Sequence, residues 1–308
     1  MTRIPSVAVL LSTYNGEAYL TAQLDSLAVQ KFVNVEVFAR DDGSTDGTVE
    51  ILRSYGYRWP ALAEITSGMN LRPAASFLDL LATAPDTFDY YSFCDQDDVW
   101  LPEKLSYATE KLSALFDMEP GLYCAEATCV DHHLKPLGQT SIRGTGRFDE
   151  LVFANIACGN TLTMNRTAAM LVRSRAPDRA VIMHDWWCAL VVSAFGRIVC
   201  DARPTVLYRQ HQDNTQGAAP GRVSGLLVQL RAFLRDPRGF YPIHAQTAEF
   251  LRLYGDQLNS ADRKLVVALV RSRRSLVARI FYAASGRIPR SDLWGALGTR
   301  LLIAAGLY

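Results

Sequence analysis

Val7-Ala8-Val9-Leu10-Leu11-Ser12-Thr13-Tyr14-Asn15-Gly16 sets the fold: five apolar residues in a row, then a polar turn ending in glycine. An apolar run this short, bounded by turn residues, suits a strand covered on both faces inside a parallel sheet. Working outward, Glu17 to Gln30 places Tyr19, Leu20, Leu24, Leu27 and Ala28 at helical spacing. Val33 to Ala39 reads as a second strand. It runs into Arg40-Asp41-Asp42-Gly43-Ser44-Thr45-Asp46-Gly47, and Thr48 to Tyr55 reads as the next helix. Strand, loop and helix alternate, which predicts an α/β fold of right-handed βαβ units.

The alternation continues. Ile65 opens a short strand, and Leu71 to Ala82 is helical, with Pro73 in its first turn. Asp89 to Cys94 is a strand ending in Asp95-Gln96-Asp97-Asp98-Val99-Trp100, and Pro102 starts a helix to about Phe116. Leu122 to Val130 and Cys158 to Met164 read as strands, with a helix from about Arg166. Met183 to Phe195 reads as a helix, and Ile198 to Asp201 and Val206 to Arg209 as two short strands. The character changes near Gln216. Residues 217–222 hold two glycines and a proline, a linker signal, and the remainder is helical and rich in Leu, Ala and Arg.

Composition narrows the function. The 308 residues are 49 % hydrophobic and 20 % charged, which is globular rather than disordered. A formal net charge of +1 gives no overall basis for nucleic-acid binding. Six scattered cysteines form no C-x-x-C pair, which argues against zinc and against a disulfide framework; reduced, mostly buried thiols in a cytosolic protein are expected. Val7 to Leu11 is too short for a signal-peptide core, and no stretch nears the ~20 apolar residues of a membrane span. The longest candidate, Trp186 to Phe195, reads as a buried helix. The expected location is cytoplasmic, soluble or peripheral to the membrane.

Five segments carry candidate chemistry. Ser12 to Gly16 follows the first strand, where open α/β sheets bind ligands. Tyr14 can stack on a base and Ser12 or Thr13 can hydrogen-bond to it, while Asn15 or Thr13 could equally cap a helix. The Asp41-Asp42 loop could bind a base or ribose. Ser44 or Asp46 could instead cap the next helix. Asp42, Ser44, Asp46 and Gly47 also mimic half a calcium loop, but Arg53 stands where that loop needs a bidentate Glu. Asp95, Asp97 and Asp98 form the sharpest signal. Three carboxylates in four residues repel one another, and a divalent cation such as Mg²⁺, completed by phosphate oxygens, removes the conflict. In His184-Asp185-Trp186-Trp187, an Asp beside two indoles can be desolvated into a general base, and Trp186 and Trp187 offer faces for a sugar. An N-cap in front of core tryptophans fits the same residues. In Tyr208-Arg209-Gln210-His211-Gln212-Asp213-Asn214, Arg209 could neutralise phosphate and His211 could meet a cation or diphosphate.

Taken together, the Ser-Thr-Tyr-Asn-Gly turn, the Asp-Asp-Gly-Ser-Thr-Asp-Gly-Thr loop and Asp-Gln-Asp-Asp-Val-Trp-Leu-Pro-Glu-Lys-Leu resemble, in order and spacing, family 2 glycosyltransferases of the GT-A fold. The resemblance covers about residues 5–215. His-Asp-Trp-Trp and Tyr-Arg-Gln-His are similar to a bacterial branch that includes rhamnosyltransferases of cell-surface polysaccharide assembly. It implies a Rossmann-like, mostly parallel sheet flanked by helices, with a helical C-terminal extension. The catalytic domain would occupy 1–216, with nucleotide binding in about 1–100 and acceptor binding in about 101–216; the extension would occupy 217–308. It implies that Ser12, Thr13, Tyr14 and Asn15 lie on the donor-binding turn and that Asp42 contacts the base. Asp95 and Asp97 would be the D-x-D pair that meets ribose and metal, with Asp98 an adjacent metal acid. Asp185 falls on the base of inverting members, and His211 on a metal or diphosphate contact.

The implied reaction is inverting transfer of a sugar from a dTDP-rhamnose or UDP-sugar donor, with Mg²⁺ or Mn²⁺, to a hydroxyl of a saccharide or lipid-linked saccharide. Two rival functions remain. A nucleotidyltransferase would want a glycine-rich basic loop near the first strand, but no Lys or Arg follows that turn until Lys31. A non-catalytic sugar-nucleotide binder would lack part of the acid set. The arginine-rich tail after Arg263 fits contact with an anionic membrane, a helical cap on the catalytic domain, or an oligomer interface.

Overall fold

The computed structural model describes residues 3–142, 144–156, 158–177, 181–211, 243–285 and 293–306. The first apolar run becomes β1 (Ser6–Thr13), fully buried from Val7 to Leu11. It pairs in parallel with β2 (Asn34–Asp41) on one side and β4 (Tyr90–Cys94) on the other, and β3 (Leu62–Ser67) extends the sheet beyond β2. The two chain neighbours of β1 lead away in opposite directions. This makes the β1/β4 boundary the crevice where such sheets bind ligands, beyond the strands' carboxyl ends.

The second half of the sheet is mixed. β6 (Gly121–Val130) runs parallel to β9 (Arg197–Arg209), while β8 (Thr163–Asn165) lies antiparallel between β4 and β6. β5 (Val99–Trp100) pairs antiparallel with β9, and β7 (Pro136–Gln139) with β6. The order is β3-β2-β1-β4-β8-β6-β9-β5, with β7 on β6. Two expectations change here. The two strands at Ile198–Asp201 and Val206–Arg209 are one, because register shifts opposite Ala125–Glu126 and Glu126–Thr128 let Pro204 sit inside β9 without breaking it. The strand expected over Cys158–Met164 begins only at Thr163, because Gly159–Thr161 forms a 3₁₀ turn.

Among the described residues up to 211 there are seven helices: α1 (Leu20–Ala28), α2 (Thr48–Arg58), α3 (Arg72–Thr83), α4 (Lys104–Ser113), α5 (Phe148–Leu151), α6 (Arg166–Arg173) and α7 (His184–Phe195). α1 starts three residues later than its periodicity predicts, because Glu17 is used elsewhere: its carboxylate accepts from Gly47 N–H. α6 starts at an Asn165 cap whose side chain accepts from Ala168 N–H. Four further helices are described in the tail: α8 (Ile243–Tyr254), α9 (Ser260–Ser272), α10 (Leu276–Ala284) and α11 (Leu293–Ala305). Their inward residues, including Phe250, Tyr254, Val266, Leu269 and Ile303, share one buried cluster with α3, α6 and α7. The expected linker at 217–222, and the boundary at 216, lie outside the described residues.

Candidate active site

Three loops meet at the carboxyl ends of β1, β2 and β4. Asn15 stands at φ 49°, a left-handed conformation that costs non-glycine residues and recurs where structure serves a site. There its N–H donates to Ser44 Oγ at 2.9 Å and its Oδ1 accepts from Thr45 N–H at 2.9 Å, tying the β1 turn to the β2 loop. The Gln96 amide fastens the third loop. Its Oε1 accepts from Tyr14 N–H and its Nε2 donates to Tyr14 O, both at 2.8 Å. Gly16 makes room for this clamp, since a Cβ there would sit 2.2 Å from Gln96 Oε1. The Tyr14 ring is left 48 % exposed above the loops.

The loop acids divide the work. Asp41 is internal: it accepts from Gly43 N–H, Ser44 N–H, Ser44 Oγ and the buried Thr13 hydroxyl. Thr13 therefore acts on the site through Asp41, and Ser12 Oγ lies 2.7 Å from Ser76 Oγ. Asp46 accepts from Glu17 N–H and Thr48 N–H, but it sits one residue before the N-cap, which is Gly47. Asp42 is buried. It pairs with Arg40 and accepts from Leu71 N–H and Arg72 N–H at 2.9 Å each, with Arg72 in the left-handed region at φ 70°. Arg40 also reaches Asp79 at 3.1 Å and Met69 O at 3.1 Å, fixing the floor beneath Asp42.

The acid loop after β4 is the electrostatic centre. Asp95 is partly buried, and its carboxylate has no hydrogen-bond partner among the described residues. Burial first, then the charges of Asp97 and Asp185, push its pKa to about 8. Asp97 Oδ2 lies 2.8 Å from His211 Nε2. The His211 ring stacks on Tyr19 with centroids 5.2 Å apart, and the Arg209 guanidinium lies 4.5 Å over the same Tyr19 ring. Arg209 Nε donates to Asp97 O at 2.8 Å, so the loop is held from both ends by β9 and the residues just after it.

Asp98 is fully buried, with both oxygens engaged: Oδ2 accepts from Asn160 Nδ2 at 2.6 Å and Oδ1 from Arg209 N–H at 3.0 Å. Burial, then Asp97 and Asp95, hold its pKa well above the carboxylate range. Lys104, also fully buried, lies nearby. Its Nζ donates to Ser92 Oγ at 3.0 Å and sits 3.5 Å from the Trp100 ring centre, and burial lowers its pKa to about 7. Asp98 thus stitches the loop to the 3₁₀ turn and β9.

Asp185, in the first turn of α7, faces the same centre and is 7 % exposed. Burial raises its pKa to about 6, against hydrogen bonds from Trp186 N–H and the Asn155 side chain. Next to it, His184 stacks on Phe77 at 4.0 Å between centroids, and burial drives its pKa to about 3, so the ring is a neutral wall. The two tryptophans are a correction. Trp187 is 0 % exposed and packs on Phe250 and Tyr254 of α8, and the Trp186 indole N–H donates to Leu151 O at 2.6 Å. Trp187 seats α8 and Trp186 is tied to α5, so both are buried rather than open as a sugar-binding surface.

Asp97 and His211 converge as a pair, and no group of three metal-ligating side chains occurs among the described residues. Gln212, Asp213 and Asn214 lie outside them. An open cavity of about 650 Å³ near Arg147, Asp149, Arg197 and Asp262 contains none of these groups. All six cysteines are free thiols.

Residues 8–118, from β1 through the acid loop to α4, match the model of the family described as Glycosyl transferase family 2. That stretch is a family 2 glycosyltransferase domain. Over 225 residues it is 27 % identical to the dTDP-rhamnosyl transferase RfbG of Shigella flexneri, covering 68 % of this chain and 74 % of that one. An uncharacterized glycosyltransferase of Nostoc sp. is 24 % identical over 233 residues, covering 71 % and 69 % of the two chains. Among solved structures, S. aureus TarS 1-349 in complex with UDP-GlcNAc superposes with a TM-score of 0.58 at 16 % identity, over 97 % of this chain and 90 % of that one. The mannosyltransferase PcManGT of Pyrobaculum calidifontis, in complex with GDP-Man and Mn²⁺, superposes at 0.50 with 21 % identity, over 99 % and 87 %. The solved neighbours show the GT-A fold, and the family match with the named relatives shows the glycosyltransferase class.

Proposed function

We propose that this chain is an inverting transferase that passes a sugar from a nucleoside diphosphate to an acceptor hydroxyl. The observation that carries the reading is Asp95: a partly buried carboxylate without a partner among the described residues, at the mouth of three interlocked loops, facing Asp97 and Asp185. Such a group is costly unless a ligand meets it. A ribose hydroxyl would donate to it. Tyr14, Ser12 and Asn15 border the space for the base, with Asp42 at its floor.

Asp97 and His211 would hold Mg²⁺ or Mn²⁺. An oxygen and an imidazole 2.8 Å apart suit an ion that keeps water and phosphate oxygens in the rest of its shell. Asp98 sits behind them as the loop's anchor. Bound there, the ion would neutralise charge growing on the leaving diphosphate. Arg209, held on Tyr19 and Asp97 O, places a permanent positive charge beside the same position. Asp185 would accept the proton of the attacking hydroxyl; a pKa near 6 leaves it ionised, yet basic enough, at neutral pH. One displacement at the anomeric carbon inverts its configuration. The relatives' names support a nucleotide-sugar donor, with dTDP-rhamnose suggested by RfbG and UDP-GlcNAc or GDP-Man by the fold neighbours.

Calorimetric titration with dTDP, with UDP and with GDP, each with and without Mn²⁺, tests this. We expect metal-dependent binding to one of them, weakened at least ~tenfold in Asp97→Ala. Binding indifferent to Asp97, or binding by none of dTDP, UDP and GDP, would overturn the donor-site assignment.

A further inference from the structure

The last two helices carry a feature that sugar transfer does not use. α10 and α11 pack against each other, and Tyr282, Ala283, Thr299 and Ile303 are buried. Their other faces are apolar and bare. On α10, Leu276, Val277, Ile280 and Phe281 are exposed, Val277 by 77 % and Phe281 by 74 %; on α11, Leu297 and Leu301 are exposed. The spacings 276/280, 277/281 and 297/301 are single helical turns, so each helix bears a stripe rather than scattered residues. Contiguous exposed apolar surface of this kind marks an interaction face.

The charge around it identifies the partner. From Arg263 to Tyr308 the sequence holds nine Lys and Arg and one acid, Asp292, in a chain whose net charge is only +1. Arg271, Arg273 and Arg274 are exposed where α9 gives way to α10, immediately before Leu276. None of the three is in an ion pair with a carboxylate among the described residues. No described helix is long and apolar enough to cross a membrane.

We propose that α10 and α11 form a docking face for an anionic bilayer, with their apolar stripes at the headgroup–acyl boundary and Arg271, Arg273 and Arg274 on lipid phosphates. A second copy of the chain is the poorer occupant. It would bring the same cations, and the described parts of these helices hold no acid to meet them. The proposal does not depend on the identity of the donor.

The test is co-sedimentation of the full chain with vesicles of phosphatidylcholine containing about one-third phosphatidylglycerol, at low and at about 0.15 M salt, where surface charge is still felt over ~8 Å. We expect binding to these vesicles and little to pure phosphatidylcholine. Each arginine near the surface contributes about fivefold, so Arg271→Glu/Arg273→Glu/Arg274→Glu should lower partitioning at least ~100-fold. Val277→Ser/Phe281→Ser, which leaves the charge unchanged, should lower it at least ~tenfold. Nucleotide titration of the same variants should be unaltered, which keeps this result separate from the donor-site reading. Wild type left in the supernatant at both salt concentrations, or serine variants that bind like wild type, would overturn the proposal. So would lipid-free dimerisation abolished by Phe281→Ser, which would assign the face to a second copy.

Discussion

Replacing Asp185 with asparagine should cost activity and stabilise the fold. With a pKa raised from 3.8 to about 6, the ionised carboxylate penalises the folded state by about 3 kcal/mol at pH 7.5. Below pH 3.8 the group is protonated in folded and unfolded chains alike and the penalty vanishes. It grows as pH rises through both values and is constant above the folded one; at pH 4.5 it is about 1 kcal/mol. The substituted amide is neutral throughout and its oxygen can still accept from Trp186 N–H, so any bond lost to Asn155 is a pH-independent offset. The variant should therefore gain about 2 kcal/mol more over wild type at pH 7.5 than at pH 4.5, or about 4–8 °C in Tm. Asp95 loses a like charge in the same variant, which acts in the same direction. The assay is thermal unfolding of both proteins at the two pH values with EDTA present. Turnover should fall ~10²–10⁴-fold with donor binding retained. A Tm difference that is the same at both pH values would refute the burial argument, and near-normal turnover would refute the assignment of the base.

Two further outcomes follow from packing. Gly16→Ala places a methyl group 2.2 Å from Gln96 Oε1 and should break the Tyr14–Gln96 clamp, at a cost of about 1–3 kcal/mol; calorimetry should show weaker nucleotide binding alongside a lowered Tm. Trp187→Ala empties the seat of α8 and should destabilise the chain by about 3–5 kcal/mol. Limited proteolysis should then cut within 243–254 faster than in wild type, and unchanged resistance would count against the shared core.

Much of this was legible because periodicity and burial coincide. β1, β4 and most of α7 are buried on both faces or all round, and such segments announce themselves as nearly continuous apolar runs. β5, with two residues, and β7, fully exposed, are too short or too polar to carry a period. The acids at 95, 97 and 185 were visible from residue type and place in the chain. Their division of labour was not: Asp98 differs from Asp97 only through Asn160, 62 positions away, and the Arg209 N–H. Arg40, Gln96 and Lys104 were overlooked because their roles are contacts across strands; a lysine at 0 % exposure has no signature in sequence. The tryptophans misled because an indole reads equally as sugar platform or core filler, and Trp187's partners Phe250 and Tyr254 lie far along the chain on a tail helix.

The cross-ties among the three loops have a thermodynamic consequence. Tyr14 is clamped by Gln96, Asn15 by Ser44 and Thr45, and Gly47 by Glu17, all through contacts within the chain itself. An arriving nucleotide would meet a cradle whose backbone has already surrendered its freedom during folding. Affinity would then be spent on few rotamers, chiefly the exposed Tyr14 ring, and ordering would take little from it. Selectivity among bases would come from a rigid outline, in which a misfit cannot be accommodated by local rearrangement.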